Sequence, residues 1–381
     1  MSTVICIGID VHKDTYSLCS YNPENGNVFY QTKCPSATEN VERYMRKIQK
    51  EYPGCGVECC YEAGPTGYVL QRELARDGYK CVIMAPTTIV KPQGGVKVKN
   101  DQRDAESLSK ALCFGQYKEV YVLDKKDEAV RNYTRMRDDR NDARKRARQQ
   151  LLSFLLRMGK VYQGKSKWTN AHRKWLRGLR MEDEYDQLTL DECIAEEERL
   201  NGDVESFDAK IEEIAKDERY SGRVGKLRCF AGIETHTALS LVTEIGDFTR
   251  FSRADVFSSY LGLTPGQDSS GLRVKMTGIT KAGNTHLRRL LTESANALRN
   301  ASYPNKSKRL RLRQVGQSVD VIAYADKGSR RCKHVIRHLL GKGKPTNMAK
   351  TAAARELSCF IWGMMTGNIL DPSIENASST N

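Results

Sequence analysis

The run Val4-Ile5-Cys6-Ile7-Gly8-Ile9-Asp10-Val11-His12-Lys13-Asp14 limits the folding options of this chain more than any other stretch. An apolar segment that stops on a carboxylate reads as a central strand covered on both faces. Asp10 then stands where that strand meets solvent. Two roles are open to it: holding a divalent cation that works on phosphate esters, or capping the turn that follows. The rest of the chain decides between them by supplying partners or failing to.

Residues 1–125 carry the pattern of an α/β domain. After the first strand, 15–21 and 28–33 read as strands joined at Pro23-Glu24-Asn25-Gly26-Asn27, a hairpin-turn composition. Residues 36–49 predict an amphipathic helix with Val41, Tyr44 and Ile48 on one face. A strand over 56–61 ends at Glu62, and Gly64-Pro65-Thr66-Gly67 breaks the chain before a helix carrying Tyr68, Leu70 and Leu74. A buried strand over 80–84, an aperiodic loop over 86–99 and a helix from Asp101 to Leu112 complete the domain. This order of strands and helices predicts an RNase H-like arrangement.

Residues 126–220 differ in kind: few Gly or Pro, many charges, long helical periods. Leu200, Val204, Phe207, Ile211 and Ile214 form an a/d seam about two heptads long, which fits a helical hairpin or a coiled coil between copies. Residues 221–381 predict a compact, mostly α domain. In it, Phe230-Ala231-Gly232-Ile233 leads into an apolar helix over 235–245 like a helix-hairpin-helix, and 262–271 reads as a loop. A basic helix begins near Asn284, an apolar helix spans 348–365, and the tail 371–381 is expected to be disordered.

Charge points to the partner. The chain carries a net charge of +15, with basic runs over 131–148, 306–313, 330–337 and 342–350. Four separate basic runs favour a polyanion, nucleic acid above all. No apolar run approaches the roughly 20 residues that span a bilayer, and residues 1–15 do not read as a signal peptide. Twelve scattered cysteines without a CxxC pair predict free thiols in a reducing compartment rather than disulfides or a zinc knot. Together these predict a soluble, cytoplasmic protein with no membrane partner.

Three carboxylates are candidates to join Asp10. Glu62 ends a strand that an RNase H-like fold sets beside the first, and Asp101 and Asp104 share one face at the start of a helix. Four acids converging there need a cation to offset their repulsion, and two metal ions about 3.5–4 Å apart could activate one phosphodiester oxygen and stabilise the other. Taken singly, Glu62 is a surface residue before a turn, Asp101 an N-cap, and Asp104 a partner for Arg103 or Lys110. Their coincidence in this order favours function.

Gly8-Ile9-Asp10-Val11-His12-Lys13, Tyr61-Glu62-Ala63-Gly64-Pro65-Thr66-Gly67 and Lys99-Asn100-Asp101-Gln102-Arg103-Asp104-Ala105 resemble the DEDD transposases of bacterial insertion sequences, the bridge-RNA-guided recombinases with a RuvC-like domain. Tyr260-Leu261-Gly262-Leu263-Thr264-Pro265, Ser270-Gly271, Thr280-Lys281-Ala282-Gly283-Asn284 and Leu287-Arg288-Arg289 are similar to that family's second domain. The resemblance implies that Asp10, Glu62, Asp101 and Asp104 bind Mg²⁺, two ions per site. It also implies that Ser270, with Ser269 its neighbour, attacks DNA to form a covalent phosphoserine. A non-coding guide RNA, double-stranded DNA as substrate, and a homodimer or homotetramer sharing composite sites are further implications. Arg140, Arg144, Lys145, Arg148, Lys281, Arg288 and Arg289 are the candidate nucleic-acid contacts. One departure is Gly232-Ile233-Glu234, where the family usually carries Gly-Ile-Gly; a carboxylate there argues against phosphate contact.

The resemblance therefore implies an RNA-guided DNA transposase acting at the bacterial nucleoid. It divides the chain into a RuvC-like domain (1–125), a helical linker (126–220) and a serine-bearing transposase domain (221–381). The competing readings are a metal-dependent nuclease of the Holliday-junction resolvase type, a non-catalytic nucleic-acid-binding protein, and an RNase H-fold sugar kinase. The kinase reading lacks a second phosphate loop and an adenosine motif, and sits poorly with the basic charge.

Overall fold

The computed structural model describes residues 3–86, 101–270, 273–300 and 305–369. The chain forms two compact units, Met1–Val122 and Leu123–Asn381. Most of the expected loop over 86–99, Gly271 and the tail 371–381 lie outside the described residues.

In the first unit, β1 (Val4–Val11), β2 (Thr15–Asn22) and β3 (Asn27–Pro35) are followed by α1 (Thr38–Glu51), β4 (Gly56–Glu62), α2 (Val69–Arg76), β5 (Lys80–Met84) and α3 (Asp101–Cys113). The five strands form one mixed sheet in the order β3-β2-β1-β4-β5. The first three pair antiparallel, whereas β4 runs parallel to β1 and β5 parallel to β4. β1 is central because every second side chain is needed on each face. Ile5, Ile7 and Ile9 pack with Val41, Met45 and Ile48 of α1 and Leu70 and Leu74 of α2. Cys6, Cys60, Val82 and Met84 meet Leu108 and Leu112 of α3 on the opposite face. Each buried isoleucine contributes about 1.5–3 kcal/mol relative to exposure, so a one-residue slip of β1 is excluded. The same alternation separates Cys59 from Cys60, and all twelve cysteines are free thiols.

Gly8 fixes the seat of α3. A Cβ at Gly8 would lie 1.9 Å from the Ala105 carbonyl oxygen and 2.6 Å from the Ser109 nitrogen. Only glycine lets the helix backbone rest on the strand. The start of α3 is thereby held over the carboxyl end of β1.

The second unit runs through α4 (Lys125–Arg157), α5 (Asn170–Gly178), α6 (Glu184–Ile214), α7 (Glu218–Leu227), α8 (Thr235–Ile245) and α9 (Ala254–Tyr260). It continues with β6 (Pro265–Ser270), β7 (Arg273–Ile279), α10 (Thr285–Asn300), α11 (Lys308–Gln314), α12 (Val319–Gly341) and α13 (Thr346–Thr366). Asp124 and Asp183 cap α4 and α6, each accepting from two backbone amides. The a/d seam is used within the chain. Leu200, Val204 and Ile211 are buried, Phe207 meets Tyr133 at a ring distance of 4.7 Å, and Arg137 of α4 donates to Asp208 of α6 at 2.8 Å. Ala238, Leu239, Leu241, Val242 and Ile245 of α8 belong to the main core with residues of α10, α12 and α13.

The expected loop over 262–271 is different. From Pro265 it is strand β6, which pairs antiparallel with β7 in a two-stranded hairpin. Its Gly, Ser and Asp residues offer no apolar alternation to announce a strand; the backbone ladder decides it. The Gly232 turn also has an internal role. With φ at +90°, a Cβ there would sit 2.6 Å from the Ser294 carbonyl oxygen of α10, and Glu234 pairs with Arg309 and Arg313. The departure at Glu234 thus joins α8 to α11.

Candidate active site

The acidic site begins with the register of β1. Ile9 pairs with Tyr61, so the next positions, Asp10 and Glu62, are neighbours at the ends of β1 and β4. On the other side Asp10 pairs with Ser17, and Ser17 with Lys33, giving one row across the sheet. Asp10 shares strand parity with Gly8, so it lies on the face that carries α3. Asp101 and Asp104 open α3 one turn beyond that contact.

The closest group is Asp10, His12 and Asp101, whose ligand atoms all lie within 4.8 Å of one another. His12 Nε2 is 3.1 Å from Asp10 Oδ2 and 3.8 Å from Asp101 Oδ1. Lys33 Nζ donates to the other Asp101 oxygen at 3.2 Å. Glu62 and Asp104 stand outside this tight group, both exposed. Burial raises the pKa of Asp10, His12 opposes the rise, and the charges of Asp101 and Asp104 add to it. The hydrogen bond from Lys33 holds Asp101 below the ordinary carboxylate range. In the sequence His12 is marked only by its two-residue spacing from Asp10, too weak a pattern to set it beside the acids.

The residues fit a divalent cation. Two carboxylates and an imidazole converge, and Asp10 carries a charge that its surroundings penalise. Beside Asp10, Ser17 Oγ is buried and finds no hydrogen-bond partner among the described residues. A buried hydroxyl left unpaired is costly, and a hydrated ion at the carboxylates would supply what it lacks.

In the second unit, Ser269 and Ser270 are the last two residues of β6, opposite Val274 and Arg273 of β7. The base of their hairpin is a close backbone clamp. Thr280 and Lys281 donate backbone N–H groups to the Thr264 and Gly262 carbonyls at 3.0 and 3.2 Å. A Cβ at Gly283 (φ +93°) would lie 1.9 Å from the Tyr260 oxygen, and one at Gly262 (φ +68°) would lie 2.1 Å from the Ala282 oxygen. Arg288 ties the clamp to α10 by donating to the Leu261 carbonyl at 3.0 Å.

Below the clamp lies a buried ionic network that no sequence motif announced. His286 Nδ1 is 2.5 Å from Glu244 Oε1, and its Nε2 is 2.6 Å from Asp138 Oδ2. Both ring nitrogens meet carboxylates, so the ring donates twice and is an imidazolium. Its pKa is pushed up to about 9: burial works against the charge, and the two carboxylate bonds overcome it. Asp138 and Glu244 are both held at about 2 by their cationic partners despite burial. Arg135 and Asn284 also bond Glu244, while Arg289 reaches Asp138 at 2.7 Å. Thus Asn284 and Arg289 of the family-like motifs serve this network.

Several expected nucleic-acid contacts are engaged inside the unit. Arg144 donates to Asn201 and Asn141, Arg148 pairs with Glu197, and Lys145 pairs with Asp142. Lys281 is different: it is exposed, has a positive φ of 56°, and forms no ion pair among the described residues. Arg140 is half-buried on α4.

A metal-fitting acid cluster in an α/β unit, with a second unit carrying serines on a braced hairpin, defines a candidate phosphoryl-transfer protein. Residues 225–311 match the Transposase IS116/IS110/IS902 family, and residues 7–159 match a transposase family of the DEDD type in the IS110 group. The chain is 33% identical to the y4qE protein of Sinorhizobium fredii over 359 residues, covering 94% of this chain and 87% of that one. It is 31% identical to the transposase for insertion sequence element IS1533 of Leptospira borgpetersenii, covering 90% of this chain and 99% of that one. The transposase for insertion sequence element IS1111A of Coxiella burnetii is 25% identical over 96% of this chain and 91% of its own length. The chain belongs to the IS110 family of DEDD insertion-sequence transposases. No helix among the described residues is long and apolar enough to cross a membrane.

Proposed function

We propose that this transposase is an RNA-guided recombinase that cuts and rejoins DNA through a covalent phosphoserine at Ser270. Its first unit is read as RNase H-like, supported by the strand order β3-β2-β1-β4-β5 with α3 on one face. Residues 126–220 form the helical linker and 221–381 the serine-bearing domain. The observation that carries the reading is the convergence of Asp10, His12 and Asp101 beside a buried Ser17 hydroxyl that has no partner among the described residues. Asp10, Glu62, Asp101 and Asp104 are the proposed Mg²⁺ ligands, and His12 joins them. When bound, the ions would neutralise phosphate charge and polarise the scissile phosphodiester.

The protein's own part is positioning and proton transfer. Ser270 Oγ forms a new P–O bond while one P–O bond of the DNA strand breaks. The serine proton passes to a carboxylate base, and the departing strand oxygen takes up a proton. One phosphoester replaces another, so attack by a different strand hydroxyl on the phosphoserine reverses the step and rejoins DNA. Lys281, exposed at the foot of the hairpin, is the proposed phosphate contact, with Arg140 and the exposed Lys145 as further ones, while Arg144, Arg148, Arg288 and Arg289 hold the scaffold that presents them. The assembly is read as a homodimer or homotetramer working at the bacterial nucleoid, with serine and acids donated by different copies and a guide RNA choosing the DNA.

Strand cleavage by purified protein with Mg²⁺, its encoded RNA and a cognate duplex is the test. Asp10→Asn should abolish cleavage while RNA binding persists, and Ser270→Ala should abolish the protein–DNA adduct seen after denaturation. Cleavage by Asp10→Asn would remove the metal assignment; an adduct in Ser270→Ala would move the nucleophile to Ser269 or elsewhere.

A further inference from the structure

The connection between α4 and α6 carries a composition unlike the rest of the hairpin. From Leu156 to Met181 there is no acidic residue, eight are Lys or Arg, and two of the chain's three tryptophans occur here. The aromatic side chains collect around His172, which is fully buried and whose ring nitrogens find no hydrogen-bond partner among the described residues. Tyr162, Trp168 and Trp175 lie 4.8, 5.0 and 5.6 Å from its ring, and Tyr162 and Trp175 are 5.2 Å apart.

Beside this aromatic cluster is a groove of about 220 Å³, walled by Leu155, Leu156, Val161, Tyr162 and Trp175. Leu156 and Val161 leave 68% and 55% of their surface in solvent, although both are apolar. Lys160 and Lys167 also line the groove. The arginines nearby are spent on structure: Arg148 and Arg173 share Glu197, and Arg177 pairs with Glu198. Lys160 and Lys167, by contrast, form no ion pair among the described residues.

We propose that this groove is a binding site for an unpaired nucleobase, with the phosphates flanking that base on Lys160 and Lys167. An aromatic wall offers stacking to any base, because every base has a π-face, and unpaired lysines track the backbone. Charge favours this occupant over a second copy of the chain, since two such segments without acids repel each other. A volume below the roughly 300–1,000 Å³ of drug-sized sites suits one ring system. The strand could be RNA or single-stranded DNA; the shared chemistry is the unstacked base and its phosphates. The proposal goes beyond the serine chemistry and does not depend on it.

The test is photo-crosslinking of the full-length protein, without divalent cation, to 12-mers carrying 4-thiouridine or 5-bromodeoxyuridine, followed by peptide mapping. Adducts on Tyr162 or Trp175 are expected, and the more efficient oligomer identifies the sugar preferred. Leu156→Asp changes an exposed side chain and should leave the fold intact while removing these adducts. Lys160→Glu with Lys167→Glu should weaken oligomer binding about 5- to 100-fold and reduce the salt slope by about 0.7 for each phosphate left without its lysine. Adducts confined to other segments, or unchanged affinity and salt slope in the lysine variant, would overturn the proposal. So would a Leu156→Asp protein that sediments as a smaller species yet keeps its adducts, because the groove would then join two copies. Cleavage and phosphoserine formation, assayed separately, report on Asp10 and Ser270, so the two readings fail independently.

Discussion

Replacing Gly8 with alanine adds one methyl group where β1 meets α3, and the structure fixes what it strikes. The new carbon would sit 1.9 Å from the Ala105 carbonyl oxygen and 3.0 Å from its carbon. Both are helix backbone atoms, so no side-chain rotation relieves the contact. A carbon–oxygen separation of about 3.3 Å requires α3 to retreat by about 1.4 Å. Overpacking of this kind costs about 1–3 kcal/mol, near 3–5 °C of Tm per kcal/mol for a unit this size. The retreat carries Asp101 and Asp104 away from Asp10, and a displacement of about 1 Å in a catalytic group costs on the order of 100-fold in rate. Differential scanning calorimetry and strand cleavage below the melting temperature measure the two effects. Gly202→Ala in α6 is the control: its Cβ meets nothing within 4 Å, and it should stabilise by up to about 1 kcal/mol. A Gly8→Ala protein that melts lower yet cleaves at the normal rate would refute the claim that Gly8 sets the acid geometry.

His286 is raised to about 9, above its ordinary value of about 6.5, so its contribution is complete below pH 6.5 and disappears as pH rises through 9. The difference is roughly 3 kcal/mol, and urea unfolding at pH 6 and 9.5 should show it for the wild type but not for His286→Gln; equal pH dependence in both would exclude the imidazolium. Asp138 and Glu244, held near 2, contribute above the ordinary carboxylate range and are lost only as pH falls toward 2. Gly283→Ala meets the Tyr260 oxygen at 1.9 Å with a positive φ; it should suppress adduct formation with Asp10-dependent cation binding unchanged, as calorimetric titration can establish. Because the pKa of Asp10 is raised, cation affinity should weaken on acidification earlier than for a surface aspartate, and Asp10→Asn should remove that dependence.

The apolar run of β1, its terminal Asp10, and the acids at Glu62, Asp101 and Asp104 were legible in the chain because each follows from local periodicity and from the places where it stops. The motifs around Gly262 and Lys281-Ala282-Gly283-Asn284 were legible too, but only as a resemblance; nothing in their spacing reveals that two glycines clamp a hairpin. Tertiary structure alone decided which ionisable groups meet. His286, Glu244 and Asp138 come from three helices far apart in sequence, and pairing between such positions has no periodicity to betray it. The β6 strand was hidden for a related reason: its partner's backbone, and not an apolar face of its own, makes it a strand. His12 and Ser17 entered the acidic site through the turn after β1 and the register of β2. Sequence therefore set what each segment can be, through local propensity and burial. Only the packing of α3 onto Gly8 brought Asp101 to Asp10.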